Sequence, residues 1–242
     1  MDKIGLEFAK QNKKTYEYVF EYLSEQILSG RLKLNDKIPP ERDIAEKLGV
    51  SRNSVREVIH MLEITGIVEC LQGSGNYIRC FPQDYMMRSI QMIMALLEIN
   101  YTEIFHIRCS YEYMALDLAM EVATEEELEK LKEILLKMDE VESAKESAKL
   151  DVLFHDTLTT ASHNRILMLY TSMLSELSDK FIHNLRAKIL VDKRRAELLR
   201  RSHWDIYHAL VEKDPVLGRQ AMEKHFQIVE EQIKKMERKN EN

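Results

Sequence analysis

After residue 83 this chain holds one proline, Pro215, and one glycine, Gly218; the other six glycines and three prolines all lie before it. The two residues that most readily end a helix are therefore nearly absent from the last two-thirds of the chain. That tract is rich in Leu, Met, Glu and Lys, all good helix formers. The expectation is a mainly α protein whose second part is an all-α antiparallel helical bundle. Helical segments are expected at about 84–98, 101–122, 125–141, 145–161, 164–184, 188–212 and 215–237. Thr124 followed by three glutamates, and Asp214-Pro215, read as helix starts. The composition break near Arg79–Asp84 divides the chain into an expected domain at 1–80 and another at 81–242.

The N-terminal part is patterned differently. Tyr16, Val19, Phe20, Leu23, Ile27 and Leu28 fall at helical spacing, and Gly30 stops that helix. Leu32-Lys33-Leu34 reads as a short extended piece and Asn35-Asp36 as a turn. Pro40 opens the next helix, with Glu41 and Asp43 in the first turn, where the helix dipole favours acids. Gly49 ends it. Ser51 then suits an N-cap whose hydroxyl accepts the amide hydrogen of Ser54. Val55, Val58, Ile59 and Leu62 form the inward stripe of this helix, while Arg52, Asn53 and Arg56 point outward. Val68–Leu71, a tip at Gln72-Gly73-Ser74-Gly75, and Asn76–Arg79 read as a β-hairpin. Helix, turn, helix and hairpin in this order make a winged helix-turn-helix, which sets arginines near the start of a helix into the major groove of DNA. Arginine forks fit guanine O6/N7 or a phosphate, and Asn or Ser can serve a base edge or a phosphate. Outside that order, Arg52 and Arg56 would be no more than charges on a solvated helix face.

Pro40-Glu41-Arg42, Ile44-Ala45, Gly49-Val50-Ser51-Arg52 and Val55-Arg56-Glu57 together resemble the GntR family of bacterial transcription regulators. The resemblance spans about Tyr16–Arg79. It implies DNA contacts at Arg42, Ser51, Arg52, Asn53, Arg56 and the wing residues Gln72 and Gly73. One departure is visible: Asn35-Asp36 stands where the family commonly has a proline-glycine turn.

Charge is compatible with this reading without arguing for it. The chain carries 35 basic and 41 acidic side chains, a net charge of −6. Residues 1–80 balance, with 12 of each sign, so the excess lies wholly in 81–242. An acidic second part suppresses non-specific DNA binding. The three cysteines, Cys70, Cys80 and Cys109, lack metal-type spacing and read as reduced, mostly buried thiols of a cytoplasmic protein. No apolar run reaches the roughly 18 residues of a membrane-spanning helix.

Within the expected bundle, Asp151 and His155 are one helical turn apart on one face. His203 and His225 lie on later helices. Three neutral imidazoles and a carboxylate suit Zn, Ni or Mn, although by spacing alone most such histidines are exposed or hydrogen-bonded in the core. Asp151-Val152-Leu153-Phe154-His155, Ala161-Ser162-His163-Asn164, His203 ahead of Ala209-Leu210, and Met222-Glu223-Lys224-His225 resemble the FCD domain. That is the effector domain of the FadR subfamily of GntR regulators. Arg108 followed by Glu112 matches a further part of its pattern. The resemblance, over about 100–230, implies that Asp151, His155, His203 and His225 hold a divalent metal with a small organic acid beside it. Arg108 is then the candidate clamp for the acid's carboxylate, unless it is spent on a salt bridge to Glu112. Asn164 is a second effector candidate, or simply a helix cap. The other histidines, His60, His106, His163, His183 and His208, carry no assigned role.

The expected function is a homodimeric transcription regulator, acting as a repressor on a double-stranded operator and controlled by the metal-anchored acid. Direct metal sensing is the alternative. A metalloenzyme fits poorly: four protein ligands leave little room for substrate, no general base stands out, and the DNA head would be unexplained.

Overall fold

The computed structural model describes residues 14–80, 82–141 and 143–240. Its backbone separates into two compact units, one running to Met92 and the other beginning at Ile93. The side chain of His183, Phe81 and the last two residues of the tail lie outside the described residues.

In the first unit, α1 (Thr15–Leu28), α2 (Glu41–Leu48) and α3 (Arg52–Ile64) precede a hairpin of β1 (Val68–Leu71) and β2 (Gly75–Ile78). Gly30, Gly49 and Gly66 each take positive φ just after a helix. At such positions a side chain would be strained, so glycine does the punctuation. Ser51 caps α3 as the sequence suggests, its Oγ accepting from the Ser54 amide at 3.1 Å. The hairpin pairs antiparallel from Val68–Ile78 to Leu71–Gly75, with Gln72, Gly73 and Ser74 at its tip. Val19, Leu23, Ile44, Val55, Val58, Ile59, Leu62, Val68 and Ile78 close one small core.

The extended piece expected at Leu32–Leu34 is displaced. The segment that pairs with the wing is Asp36–Ile38. Lys37 bridges Tyr77, the Ile38 amide donates to Asn76 O and the Ile78 amide to Asp36 O, both at 2.8 Å. Ile38, only 2% exposed, is the apolar anchor that sets this register. The preceding turn forms at Lys33–Asp36. Asn35 takes φ +73°, a left-handed conformation that asparagine tolerates better than most residues.

The second unit contains the end of α4 (Pro82–Leu96), then α5 (Tyr101–Val122), α6 (Glu125–Glu140), α7 (Ala144–Ala161), α8 (Arg165–Val191), α9 (Lys193–Glu212) and α10 (Pro215–Asn240). With glycine and proline scarce, capping side chains start these helices. Asn100, Thr124, Ser143, Asn164 and Asp192 accept first-turn amides of α5 through α9. Asp214 does the same for α10, at 2.9 and 3.0 Å. Glu98, His163 and Lys213 supply the left-handed positions that glycine would ordinarily fill. The sequence-based break between 184 and 188 does not exist. Helix α8 continues to Val191, burying Leu185 and Ile189, and the chain breaks at Asp192, whose carboxylate caps α9. Helix α9 packs on α10, α7 on α6 and α8, and α5 on α7 and α10. This places the inward faces of α5, α7, α9 and α10 around a common interior.

Candidate functional site

Three imidazoles meet in that interior. His155 comes from α7, His203 from α9 and His225 from α10, and all are buried, at 3%, 0% and 2% exposure. One nitrogen of each lies within 4.8 Å of the others'. Imidazole nitrogens sharing a tetrahedral zinc sit roughly 3.4 Å apart, a separation within that bound.

The outer nitrogens decide which way the lone pairs face. His203 Nδ1 donates to the Leu199 carbonyl at 2.8 Å, one turn back on the same helix. Ser202 gives its only hydroxyl proton to Leu199 O at 2.7 Å. It must then accept from His225 Nδ1, 3.1 Å away. His155 Nδ1 lies 2.6 Å from Glu112 Oε2, close but not aligned as a hydrogen bond; so near a carboxylate the proton belongs on Nδ1. Each ring is thus held as the Nδ1–H tautomer with its Nε2 lone pair directed away from that outer partner. This is the arrangement in which outer partners orient histidine metal ligands. Nε2 of His155 and Nε2 of His203 are buried without an aligned hydrogen-bond partner. Buried polar atoms are seldom left so, and a divalent cation would satisfy both. The donor set fits a metal.

Asp151 sits at the edge of the cluster, not among the three nitrogens that meet. Its Oδ1 is 3.1 Å from His203 Nε2 and is also bound by Nη1 of Arg186. Its Oδ2 lies 3.9 Å from Arg108 Nη2. Arg108 is itself locked to Glu112, Nε to Oε1 at 2.5 Å, the expected salt bridge. Arg186 also donates from Nε to Ser147 Oγ at 3.0 Å. Asn164 spends its side-chain oxygen on the amides of Ile166 and Leu167, at 3.0 and 3.1 Å. It lines neither cavity beside the histidines; the helix cap is its observed role.

Sequence reasoning did not find Arg186 or Ser202, and it saw in Glu112 only a partner for Arg108. Arg186 is 35 residues from Asp151 and shares no helix with it. Nothing in spacing could have joined them.

Burial alone would raise both buried carboxyls. Arg186 outweighs it for Asp151 and holds that carboxyl well below the usual range. Arg108 and His155 hold Glu112 down in the same way. Burial pushes His203 below 6.5 despite Asp151. Burial, then His203 and His155, pushes His225 further down. The two rings are therefore neutral and able to ligate near pH 7. The unfolded chain takes up protons near 6.5 that the folded site refuses. Stability of the metal-free protein is then full above that value and falls as pH descends from it. The melting temperature is expected to be lower at about pH 5.5 than at about pH 7.5; a flat profile would contradict the placement of these rings.

Two cavities adjoin the cluster. One of about 20 Å³ is lined by Phe105, Arg108, Asp151, Arg186 and His225 and has room for about one water. The other, about 240 Å³, lies between α6, α7, α8 and α9 and is lined by Met138, Ser147, Arg186, Lys193, His203 and Trp204.

In the first unit, Arg42, Ser51, Arg52, Asn53 and Arg56 are all exposed, as are Gln72 and Gly73 at the wing tip. Arg56 is paired with Glu41 of α2 at 3.1 Å and Arg42 with Asp43 at 3.4 Å. Arg52 has no ion-pair partner among the described residues. The Ser51 hydroxyl is engaged with Ser54.

Residues 15–78 match the family described as bacterial regulatory proteins, gntR family, and residues 103–228 match the FCD domain, more than half of the chain. The chain belongs to the GntR family of transcription regulators, with a C-terminal FCD domain. It is 29% identical to the HTH-type transcriptional regulator LutR of Bacillus subtilis over 85% of this chain and 94% of that one. It is 29% identical to the Uxu operon regulator of Haemophilus influenzae, over 89% and 80%. The Glc operon transcriptional activator of Escherichia coli K12 is 25% identical over 91% and 89%. Among solved structures, Streptococcus agalactiae GntR matches with a TM-score of 0.62 and 26% identity, over 88% of this chain and 98% of that one. This GntR-family chain is a DNA-binding regulator, not an enzyme. Among its described residues no helix is long and apolar enough to cross a membrane.

Proposed function

We propose that this regulator is a cytoplasmic homodimeric repressor whose operator binding is controlled by a small organic acid bound beside a divalent metal in the FCD domain. The observation that carries the reading is the set of three buried imidazoles, each held as the tautomer with its Nε2 lone pair free of its outer partner. His155, His203 and His225 would hold the ion, with Asp151 available as a fourth ligand. The bound ion would supply a fixed positive charge to anchor a carboxylate. Zinc, nickel and manganese all suit this donor set. A ligand can shift the protein between states only by its differential affinity for them. The acid's contacts must therefore differ between the operator-bound and released forms.

Purified protein is expected to carry about one divalent ion per chain by native mass spectrometry, and His225→Ala to lose it while still binding operator. A fully loaded His225→Ala protein would remove the proposed centre. At the DNA end, Arg52→Ala is expected to weaken operator binding by about 1–3 kcal/mol. Arg56→Ala is expected to cost less, because Arg56 gives up its Glu41 pair to reach DNA. Gel-shift titrations at fixed salt measure both, and unchanged binding for Arg52→Ala would overturn the recognition-helix assignment. A promoter reporter tests the sign, since the relative from Escherichia coli is named an activator.

Direct metal sensing is the second reading. It is favoured by the cavity against the histidines, which at about 20 Å³ admits no acid as it stands. Under it, zinc alone changes operator affinity and added carboxylates change nothing further.

A further inference from the structure

Among the described residues, four ionised groups surround the histidines. Glu112 is 0% exposed, Asp151 5% and Arg186 6%, and the Arg108 side chain is 14% exposed. Two carboxylates face two guanidiniums, so the fixed charge sums to zero while the imidazoles are neutral. A buried charge without a partner is costly, and this balance is what lets the cluster exist without an ion. A divalent cation added to it leaves two positive charges unmatched.

The two arginines are not equivalent. Arg108 is tied to Glu112 on its own helix, one turn away. Arg186 is tied to Asp151, the one carboxylate among the described residues that approaches Nε2 of a histidine in the cluster. Any ion gathering His203 and Asp151 must compete with Arg186 for the same oxygen. Among the described residues, Arg186 is also the one cation that lines both cavities, the small one at the histidines and the 240 Å³ one beside Trp204.

We propose that Arg186 is a stand-in cation: it neutralises Asp151 while the metal is absent, and on metal binding it yields Asp151 and receives, from the larger cavity, an effector carrying two negative charges. This rests on the metal reading above and deepens it. Metal and dianion then bind cooperatively, each raising the affinity for the other by the same factor. The larger cavity suits such a ligand. Arg186, Ser147 and the rim residue Lys193 offer donors, Leu135, Met138 and Leu190 offer an apolar wall, and the two lining carboxylates, Asp139 and Glu197, are both paired with Arg200. Trp204, the chain's only tryptophan, lines the same cavity and reports its occupancy by fluorescence.

The test is calorimetric titration of zinc into the full-length protein, alone and with malonate or acetate, with Trp204 emission followed in parallel. In the wild type, malonate is expected to tighten zinc binding by about tenfold or more, and acetate by much less. Arg186→Met removes the competitor. It is expected to bind zinc at least about tenfold tighter without acid and to lose the preference for malonate over acetate, since a single negative charge then completes the balance. Arg186→Lys, which keeps a cation beside Asp151, covers the case in which Arg186→Met fails to fold. Its metal-free melting temperature should match the wild type and its malonate coupling should persist, since the charge balance is unchanged. Equal zinc affinity in wild type and Arg186→Met, malonate preference that survives Arg186→Met, or its loss in Arg186→Lys, overturns the stand-in role and leaves the metal centre intact. Zinc binding that is absent in the wild type, or unaffected by His225→Ala, overturns the metal reading and this inference with it.

Discussion

Replacing Asp151 with alanine is expected to cost the metal-free protein about 3–5 kcal/mol, because it leaves a buried arginine unpaired. Arg186 is 6% exposed, and once Asp151 is gone its remaining bond is to Ser147 Oγ at 3.0 Å. A hydroxyl cannot neutralise a guanidinium. Arg108 lies 3.9 Å from the same carboxylate, so two arginines would then face Glu112 alone. For a domain of this size each kcal/mol moves the melting temperature by roughly 2–4 °C, so the loss is easily read in a thermal scan. The double variant Asp151→Leu with Arg186→Met removes both charges and is expected to recover most of the stability, since a buried pair replaced whole by apolar groups is often neutral. If Asp151→Ala melts within a degree or two of the wild type, Arg186 has another partner and the charge balance drawn around the histidines is wrong.

The second large effect is expected at Phe154. Its side chain is fully buried. Its ring meets those of His155 and His203 edge-on, with centroids 5.3 and 5.1 Å away. Phe154→Ala is expected to destabilise the second unit by about 3–5 kcal/mol, the transfer and cavity cost of deleting a core ring. It should also weaken zinc binding although Phe154 ligates nothing, because the two histidines lose the wall that holds their planes apart. Phe154→Leu refills most of the space and is expected to recover most of both effects. Denaturant melts with and without zinc separate the two losses. A stability loss without any change in zinc affinity would mean that the outer hydrogen bonds alone orient the rings.

These two positions also show how far the chain could be read in advance. Asp151 and His155 share a helix face because the α-helix repeats every 3.6 residues, and that much is visible as spacing. Ser51 capping α3, Gly49 closing α2 and the glycine at the wing tip are likewise local, each set by the conformational preference of one residue and its near neighbours. The break at Asp192 was not visible, since an aspartate ends or starts a helix only when the flanking segments find their own packing. Leu185 and Ile189 are buried, so α8 runs on past the point where composition suggested a stop. Asn164 reads equally well as a ligand contact or a cap, and its bonds to two amides show the cap.

What the sequence by itself determined is the order of elements, the mainly α character after residue 83, the outward face of the recognition helix and the identity of the three histidines. All of these follow from local propensity, periodicity and motif. Only the tertiary structure decided which nitrogen of each histidine faces away from its outer partner, that Glu112 and Ser202 hold them so, and that Arg186 occupies Asp151. Those facts depend on side chains tens of residues apart meeting where α5, α7, α8, α9 and α10 pack together. Charge neutrality in a buried site is a property of that meeting point and has no period along the chain.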